Sequence, residues 1–567
     1  MMTCAAATID TQMFVYPSLS RSLLMEGGLL MLAFVALLHF LFCGRRMCIN
    51  KFHVFLFLWI TYIIIHSRLS PVAEVYRVTY LCVTLFSIIP LSYCLRTRLI
   101  TPRKLCYGLL MIGTAHIVCT LAQWVGPMTP ENTLYPITGC SDNPTVSALY
   151  LAGCLPLYRF IGSKHLRWAF LGAALLCILL LRCRTAYIGV CVEGALFFLF
   201  RFFSSHSWNK NHHYGFIGFK GFISLAFVFV LVFVSVTKMY QMKRDSADGR
   251  MLIWRLSATM IVDKPMGHGY GLFAKHYNQR QAEYFSADGG TETERRTATY
   301  TAMAYNDYLE HGVDGGIIAM MFLAGFYILT ITKTKTKMKA EAAILSAFAV
   351  MSLTNFVCAT IQPWLLIICT AVMALSQDKS TEPPRKALSI AISVAMLALT
   401  TIFSVMIFSM TKSQLQLHNM AERMKSGETL NDKEFADIEQ GIYTSEAYWN
   451  WRMNNSMLHK NNAGTRICAQ EALQLAFMSS TLVALSQCDM NAGDAVSAIL
   501  HLNTVRNMQP SLLYPKLYLM RMYHAGKDAG SAYKMAQEIL STEVKVNSEE
   551  AMHIRREAEY LIYKYQH

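Results

Sequence analysis

The chain has 567 residues, of which 54% are apolar and 15% charged, where a soluble protein carries roughly a quarter charged residues. A wholly soluble protein is thereby excluded. The formal charge of +15 would suit nucleic acid, but Lys and Arg gather in short segments between apolar runs, as they do beside membrane spans, so no nucleic acid is expected. The sixteen cysteines form no disulfide framework. Cys43, Cys82, Cys94, Cys177 and Cys191 lie in or beside apolar runs, where a thiol acts as a small hydrophobe, and there is no CxxC pair or metal-spaced Cys/His cluster.

Residues 1–22 carry no basic stretch and no small-residue cleavage site ahead of Leu23, so the first apolar run reads as retained. A helix needs about 20 residues to cross the hydrocarbon layer. That window places spans near 23–43, 52–66, 75–93, 105–125, 145–161, 166–182, 185–203, 219–237, 312–331, 341–358, 363–376 and 387–410. The expected fold is therefore an all-α polytopic membrane protein of about twelve spans over 23–410. Alternate loops hold twenty Lys and Arg residues, from Arg45, Arg46 and Lys51 through Arg96, Arg98, Arg103 and Lys104 to Lys379, Arg385 and Lys386. The short loops of the opposite set hold far fewer, which makes the first set cytoplasmic. The 238–311 loop and everything from about 411 then face outward.

The 238–311 loop is too long for a connector. Asp248 reads as an N-cap, and Leu252, Leu256 and Met260 follow at helical spacing, suiting a helix along the membrane surface. Gly267-His268-Gly269-Tyr270-Gly271 reads as a tight turn. Arg184, at the outward edge of a span, suits an anionic oxygen pair with its guanidinium fork, or else snorkels to the headgroups.

From about 411 the chain reads as a soluble helical domain. Leu430-Asn431-Asp432 looks like a helix start, and Trp449 and Trp451 suggest burial. Ala492-Gly493-Asp494-Ala495 returns in looser form as Ala529-Gly530-Ser531-Ala532, with Ala495 and Ala532 37 residues apart. That is near the period of tetratricopeptide helix pairs, although a simple helical cap fits as well. Cys468 and Cys488 are candidates for a disulfide if this domain lies in an oxidising compartment.

Four segments, in order, resemble the O-antigen ligase/polymerase superfamily of bacterial membrane glycosyltransferases. They are Thr138-Gly139-Cys140-Ser141-Asp142-Asn143-Pro144, Arg184-Thr185-Ala186, Gly249-Arg250 with Trp254 and Pro265, and Tyr305-Asn306-Asp307-Tyr308-Leu309 followed by Gly315-Gly316. The resemblance implies a metal-independent inverting transferase without a cofactor. It would move a glycan from undecaprenyl diphosphate to an acceptor hydroxyl on a glycan, lipid or protein. Its place would be the periplasmic face of the bacterial inner membrane. Arg184 and Arg250 match the arginines expected to hold the leaving diphosphate. Tyr305, Asn306 and His311 are the candidates for the catalytic segment. The chain departs from the pattern at Tyr305, where the superfamily commonly has histidine; Tyr305 would orient the acceptor, or His311 or His268 would supply the base. The tail would offer a surface for a protein partner. The alternatives are a polysaccharide or lipid transporter, which predicts ionisable residues within spans, of which Glu193 is the main instance, and a non-catalytic membrane scaffold.

Overall fold

The computed structural model describes residue 14 and residues 17–43, 49–130, 132–205, 244–334, 339–376, 386–544 and 548–567. The expected span at 219–237 lies outside them, as do most of residues 1–22 and the basic residues Arg45, Arg46, Lys379 and Arg385. Among the described residues every regular element is helical.

Seven helices come first: α1 (Pro17–Cys43), α2 (Lys51–Leu69), α3 (Val75–Arg96), α4 (Pro102–Val125), α5 (Pro144–Cys154), α6 (Lys164–Leu180) and α7 (Arg184–Ser205). Among the described residues, six helices are long and apolar enough to cross a membrane: those containing Leu19–Cys43, Lys51–Leu69, Val75–Arg96, Pro102–Val125, Asp307–Lys333 and Ser389–Lys425. The protein is thus a multi-pass membrane protein. Several expected spans are shorter. The stretch 145–161 becomes α5 followed by a 3-10 turn over Leu155–Phe160, because Pro156 in that stretch lacks the N–H that would continue the α-helix.

The bundle is organised around α3. Its flanks are α1, α2 and α13 (Ile361–Ser376). Nearly every side chain of α13 is buried, and 94% of the apolar window of α3 is buried too. A helix apolar all round belongs in such a position.

Between α7 and the long helix α11 (Asp307–Lys333), the described residues form three helices: α8 (Arg244–Asp263), α9 (Phe273–Ser286) and α10 (Glu292–Thr297). Leu252, Leu256 and Met260 do line one helical face, but that face packs on Phe273, Tyr277, Phe285 and Val313 in the loop's own core instead of lying on a membrane surface. Asp248 is inside α8, whose described part starts at Arg244, so it is not the N-cap. Gly267, Gly269 and Gly271 all have left-handed backbone (φ 87, 123 and 79°), as the expected turn requires. This turn wedges against a kink in α11, where Gly316 (φ 75°) leaves helical geometry. There the Ile317 N–H donates to the Pro265 carbonyl at 2.9 Å.

After α12 (Lys339–Met351) and α13, the 40-residue helix α14 (Lys386–Lys425) runs about 60 Å at 1.5 Å per residue, roughly twice the hydrocarbon thickness. Its last turns pack on the tail. The tail comprises α15 (Asp432–Ile442), α16 (Glu446–Leu458), α17 (Asn462–Leu475), α18 (Ser479–Asn491), α19 (Ala495–Met508), α20 (Tyr514–Ala525), α21 (Ala529–Ser541) and α22 (Glu549–Gln566). Asn431 starts it with a capping box to Glu434. Asn461, Asp494 and Asp528 cap α17, α19 and α21, each accepting an N–H three residues on at 3.0 Å. Each cap follows a residue with positive φ, at Lys460, Gly493 and Lys527. The recurrence therefore spans 33 and 34 residues, and it aligns Asp494 with Asp528, not Ala495 with Ala532. Cys468 and Cys488 are free and buried.

Candidate functional site

The site is built around a turn that interrupts apolar sequence, Ser352-Leu353-Thr354-Asn355-Phe356-Val357-Cys358. Asp307, the first residue of α11, holds it. Its N–H donates to the Ser352 carbonyl at 2.8 Å, and its carboxylate accepts the N–H groups of Val357 and Cys358 at 3.0 and 3.1 Å. Asn306 caps α11, accepting from the N–H groups of Tyr308 and Leu309 at 3.0 and 3.1 Å. That oxygen is what the exposed first turn of a helix needs.

Both arginine segments reach this turn. Arg250 on α8 donates from Nη1 to the Thr354 carbonyl at 2.9 Å. Thr185, next to Arg184, lies 3.3 Å from the Thr354 hydroxyl and accepts from the Asn355 amide at 3.2 Å. Arg184 starts α7 directly before Thr185.

Tyr305 completes the cluster. Its ring lies 4.9 Å from the Arg250 guanidinium carbon, a cation–π contact, and stands edge-on to Phe356 at 5.5 Å. The backbone of Tyr305 is left-handed, φ 51°, a conformation unfavourable for a bulky residue unless its neighbours impose it. They do. The Ala304 N–H donates to Glu310 at 3.1 Å, Trp254 Nε1 donates to the Ala304 carbonyl at 3.1 Å, and Glu310 is itself paired with Arg77 at 3.1 Å. Burial pushes the Tyr305 hydroxyl up and the Arg250 guanidinium down from their ordinary values; their closeness opposes both shifts.

A cavity of about 1180 Å³ opens here, lined by Asn143, Arg182, Arg250, Arg296, Tyr305 and Phe356 among others. Exposed Trp124 and Leu179 also border it. The Thr138–Asn143 loop that brings Asn143 in is clamped by buried Gln123, whose Oε1 accepts from the N–H groups of Thr138 and Gly139, both at 2.8 Å. Cys140 Sγ adds a thiol contact to Cys119 of α4 at 2.9 Å. The tail covers the far side. Glu543 and Val544 line the cavity, Glu543 pairs with Arg296 at 3.3 Å, and buried Gln281 donates to the Met508 carbonyl at 2.7 Å.

The sequence-derived candidates thus divide. Arg250 and Tyr305 meet on the 352–358 turn and Asn306 stands beside them as a cap; of the Arg184 segment it is Thr185 that reaches the turn, and Arg184 is not among the cavity's lining residues. His311 faces the bundle core, donating from Nδ1 to the Asp307 carbonyl at 2.9 Å beside Trp59, and is not among the cavity's lining residues. His268 stacks near His276, ring centres 4.7 Å apart, and does not line the cavity either. Sequence reasoning missed Asn355, Phe356, Gln123 and the tail residues. The polar break Ser352–Asn355 inside an apolar stretch was the available signal for the first two.

Residues 169–324 match the family model for O-antigen ligase. No curated protein shows significant similarity to the chain.

Proposed function

From a chain whose residues 169–324 belong to the O-antigen ligase family, we propose a membrane glycosyltransferase that moves a glycan from undecaprenyl diphosphate to an acceptor hydroxyl. The observation that carries this reading is Arg250, bonded to the turn at the edge of a large cavity, with the Arg184-Thr185 segment bonded to the same turn through Thr185. As the bond from the anomeric carbon to the diphosphate breaks, negative charge builds on the leaving oxygen. Fixed guanidiniums in a partly dry site stabilise that charge without reorganising. The same arginines support a mechanism in which side chains, not a metal, neutralise the diphosphate. Attack from the face opposite the leaving group inverts the anomeric centre. Tyr305 fixes the Arg250 plane and offers its hydroxyl to the acceptor; with its ordinary value near 10 and burial raising it, it orients and does not abstract a proton.

In this reading the chain has about twelve spans, lies in the bacterial inner membrane, and turns its 238–311 loop and tail to the periplasm, as the basic-loop bias argues. The 33- and 34-residue recurrence supports a tetratricopeptide-like tail, a surface fit for a protein partner as well as a cover for the site. Glu193 is buried with neither carboxylate oxygen hydrogen-bonded, which on its own marks no ion path.

The test is the glycan profile of cells carrying Arg184→Ala or Arg250→Ala at wild-type abundance. Lipid-linked glycan should accumulate, with transfer lost. Two variants with unaltered lipopolysaccharide, capsule and glycoprotein profiles would overturn the proposal.

A further inference from the structure

A second cavity of about 820 Å³ sits where α1, α3, α14, the loop and the tail meet. It touches the arginine cavity at two shared residues, Asn143 and Phe356, so the two spaces share a partition one residue thick. Their chemistry differs. The arginine cavity is lined by Arg182, Arg250 and Arg296 against a single acid, Glu543. The second is lined by Arg21 and Arg77 against Glu74, Asp142 and Glu446, and Arg77 is already paired with Glu310. With no excess of positive charge, it is a poor host for a diphosphate.

Its walls suit a neutral, hydroxyl-rich chain. Side-chain amides come from Gln362, Gln414 and Gln440, and aromatic rings from Tyr76, Tyr80 and Tyr300. Gln414 is 95% buried, at 5% exposure, yet its carbonyl oxygen has no hydrogen-bond partner. A buried acceptor left open in this way carries a desolvation cost that a ligand hydroxyl would relieve. The tail supplies one wall, Gln440 to Glu446 with Leu475 and Ala476, and the Thr444 hydroxyl anchors it by accepting from the Val75 N–H at 3.2 Å. One rim is apolar: Val405, 63% exposed on α14, borders the cavity.

We propose that this second cavity holds the acceptor, that the acceptor is a carbohydrate, and that the tail wall helps to select it. The inference rests on the glycosyl-transfer reading above. The acceptor's hydroxyl would reach the anomeric carbon across the Asn143–Phe356 partition. The oxygen–carbon bond forms there, the carbon–diphosphate oxygen bond breaks with its electron pair leaving on the diphosphate, and the hydroxyl proton passes to water.

The test uses full-length protein in lipid nanodiscs, with a polyprenyl-diphosphate-linked oligosaccharide as donor. The acceptor probes are a free core oligosaccharide and the same oligosaccharide on its lipid anchor. Gln440→Trp and Ala302→Trp place bulk at solvent-exposed lining positions, and Gln414→Ala removes the open amide. Direct binding of each probe is measured without turnover, then the KM for acceptor and donor. Expected are a tenfold or greater rise in acceptor Kd and KM for both Trp variants, several-fold for Gln414→Ala, and an unchanged donor KM. The apolar rim predicts tighter binding of the anchored probe; equal binding of both would assign the site to the sugar alone and still support a carbohydrate acceptor. Unchanged acceptor binding in all three variants would overturn the proposal. So would a raised donor KM in its place, or saturable binding of a Ser/Thr peptide with no carbohydrate binding. If the glycosyl-transfer reading itself fails, wild-type protein transfers nothing and Arg250→Ala changes nothing, whereas the binding arm still reports on the cavity.

Discussion

Asp307 is a residue whose loss the structure predicts to be damaging. Its carboxylate is the partner of two backbone donors, Val357 and Cys358, at 3.0 and 3.1 Å, and the residue is 1% exposed. Asp307→Ala leaves both N–H groups buried and unsatisfied. At about 1–3 kcal/mol each, the loss is about 2–6 kcal/mol, a large part of the roughly 5–15 kcal/mol that holds a typical domain folded. Asp307→Asn keeps one oxygen and should lose about half as much. The damage would spread to the site, because Thr354 and Phe356, the partners of Arg250 and Tyr305, belong to the same turn. Two measurements check this. Thermal unfolding of purified protein should order wild type above Asn above Ala. Maleimide labelling of Cys358, buried in the folded protein and read by peptide mass spectrometry, should rise in the same order. A wild-type melting temperature with an unlabelled Cys358 in Asp307→Ala would refute the reasoning.

Tyr305→Phe keeps the ring under Arg250 and should leave the melting temperature within about 1 °C while slowing transfer roughly tenfold, the worth of one hydrogen bond; equal rates would remove the hydroxyl from the mechanism. Gly316→Ala puts a methyl group against the Pro265 carbonyl and the Met266 backbone at a positive φ, so it should cost more than about 1 kcal/mol, seen as reduced membrane accumulation. Gln281→Ala removes the buried bridge to Met508 and should make the tail more sensitive to limited proteolysis while the membrane part stays intact. His276 is pushed down to about 3, first by burial and then by the neighbouring His268, Lys275 and Lys264 charges. A histidine depressed in the folded state binds fewer protons there than in the unfolded chain, so stability falls as pH drops below about 6.5. Between pH 7 and 5 the loss should be about 1–2 kcal/mol, and His276→Gln should flatten that part of the melting curve.

Much of the molecule was legible because lipid imposes a simple code. Apolar length located the described long helices, and the glycine turn at 267–271 announced its left-handed backbone. Arg184 stood out through its costly placement at a span edge, and Arg250 only through the resemblance of the segment around it. Other features required three dimensions. His311 is four residues from Asp307 and so sits one turn up α11, which carries it into the core beside Trp59 and away from Tyr305. Leu252, Leu256 and Met260 had the right period, but periodicity names a buried face without naming what buries it. The tail's register was misread because small residues recur more loosely than caps. Asn461, Asp494 and Asp528 show the true spacing, since each must satisfy the free N–H groups of its helix. Nothing local in Glu543 or Gln440 tells that the tail borders both cavities.

Helix α14 reaches from the bundle into the tail without a break. Such a rod transmits rotation as well as reach. Each residue added to it turns everything downstream by 100° and lifts it about 1.5 Å, so a single inserted alanine above the bilayer would swing Gln440 and Glu543 off their cavities, while seven would nearly restore the phase at a greater height. The height and azimuth of the tail are thus set by counting residues in one helix.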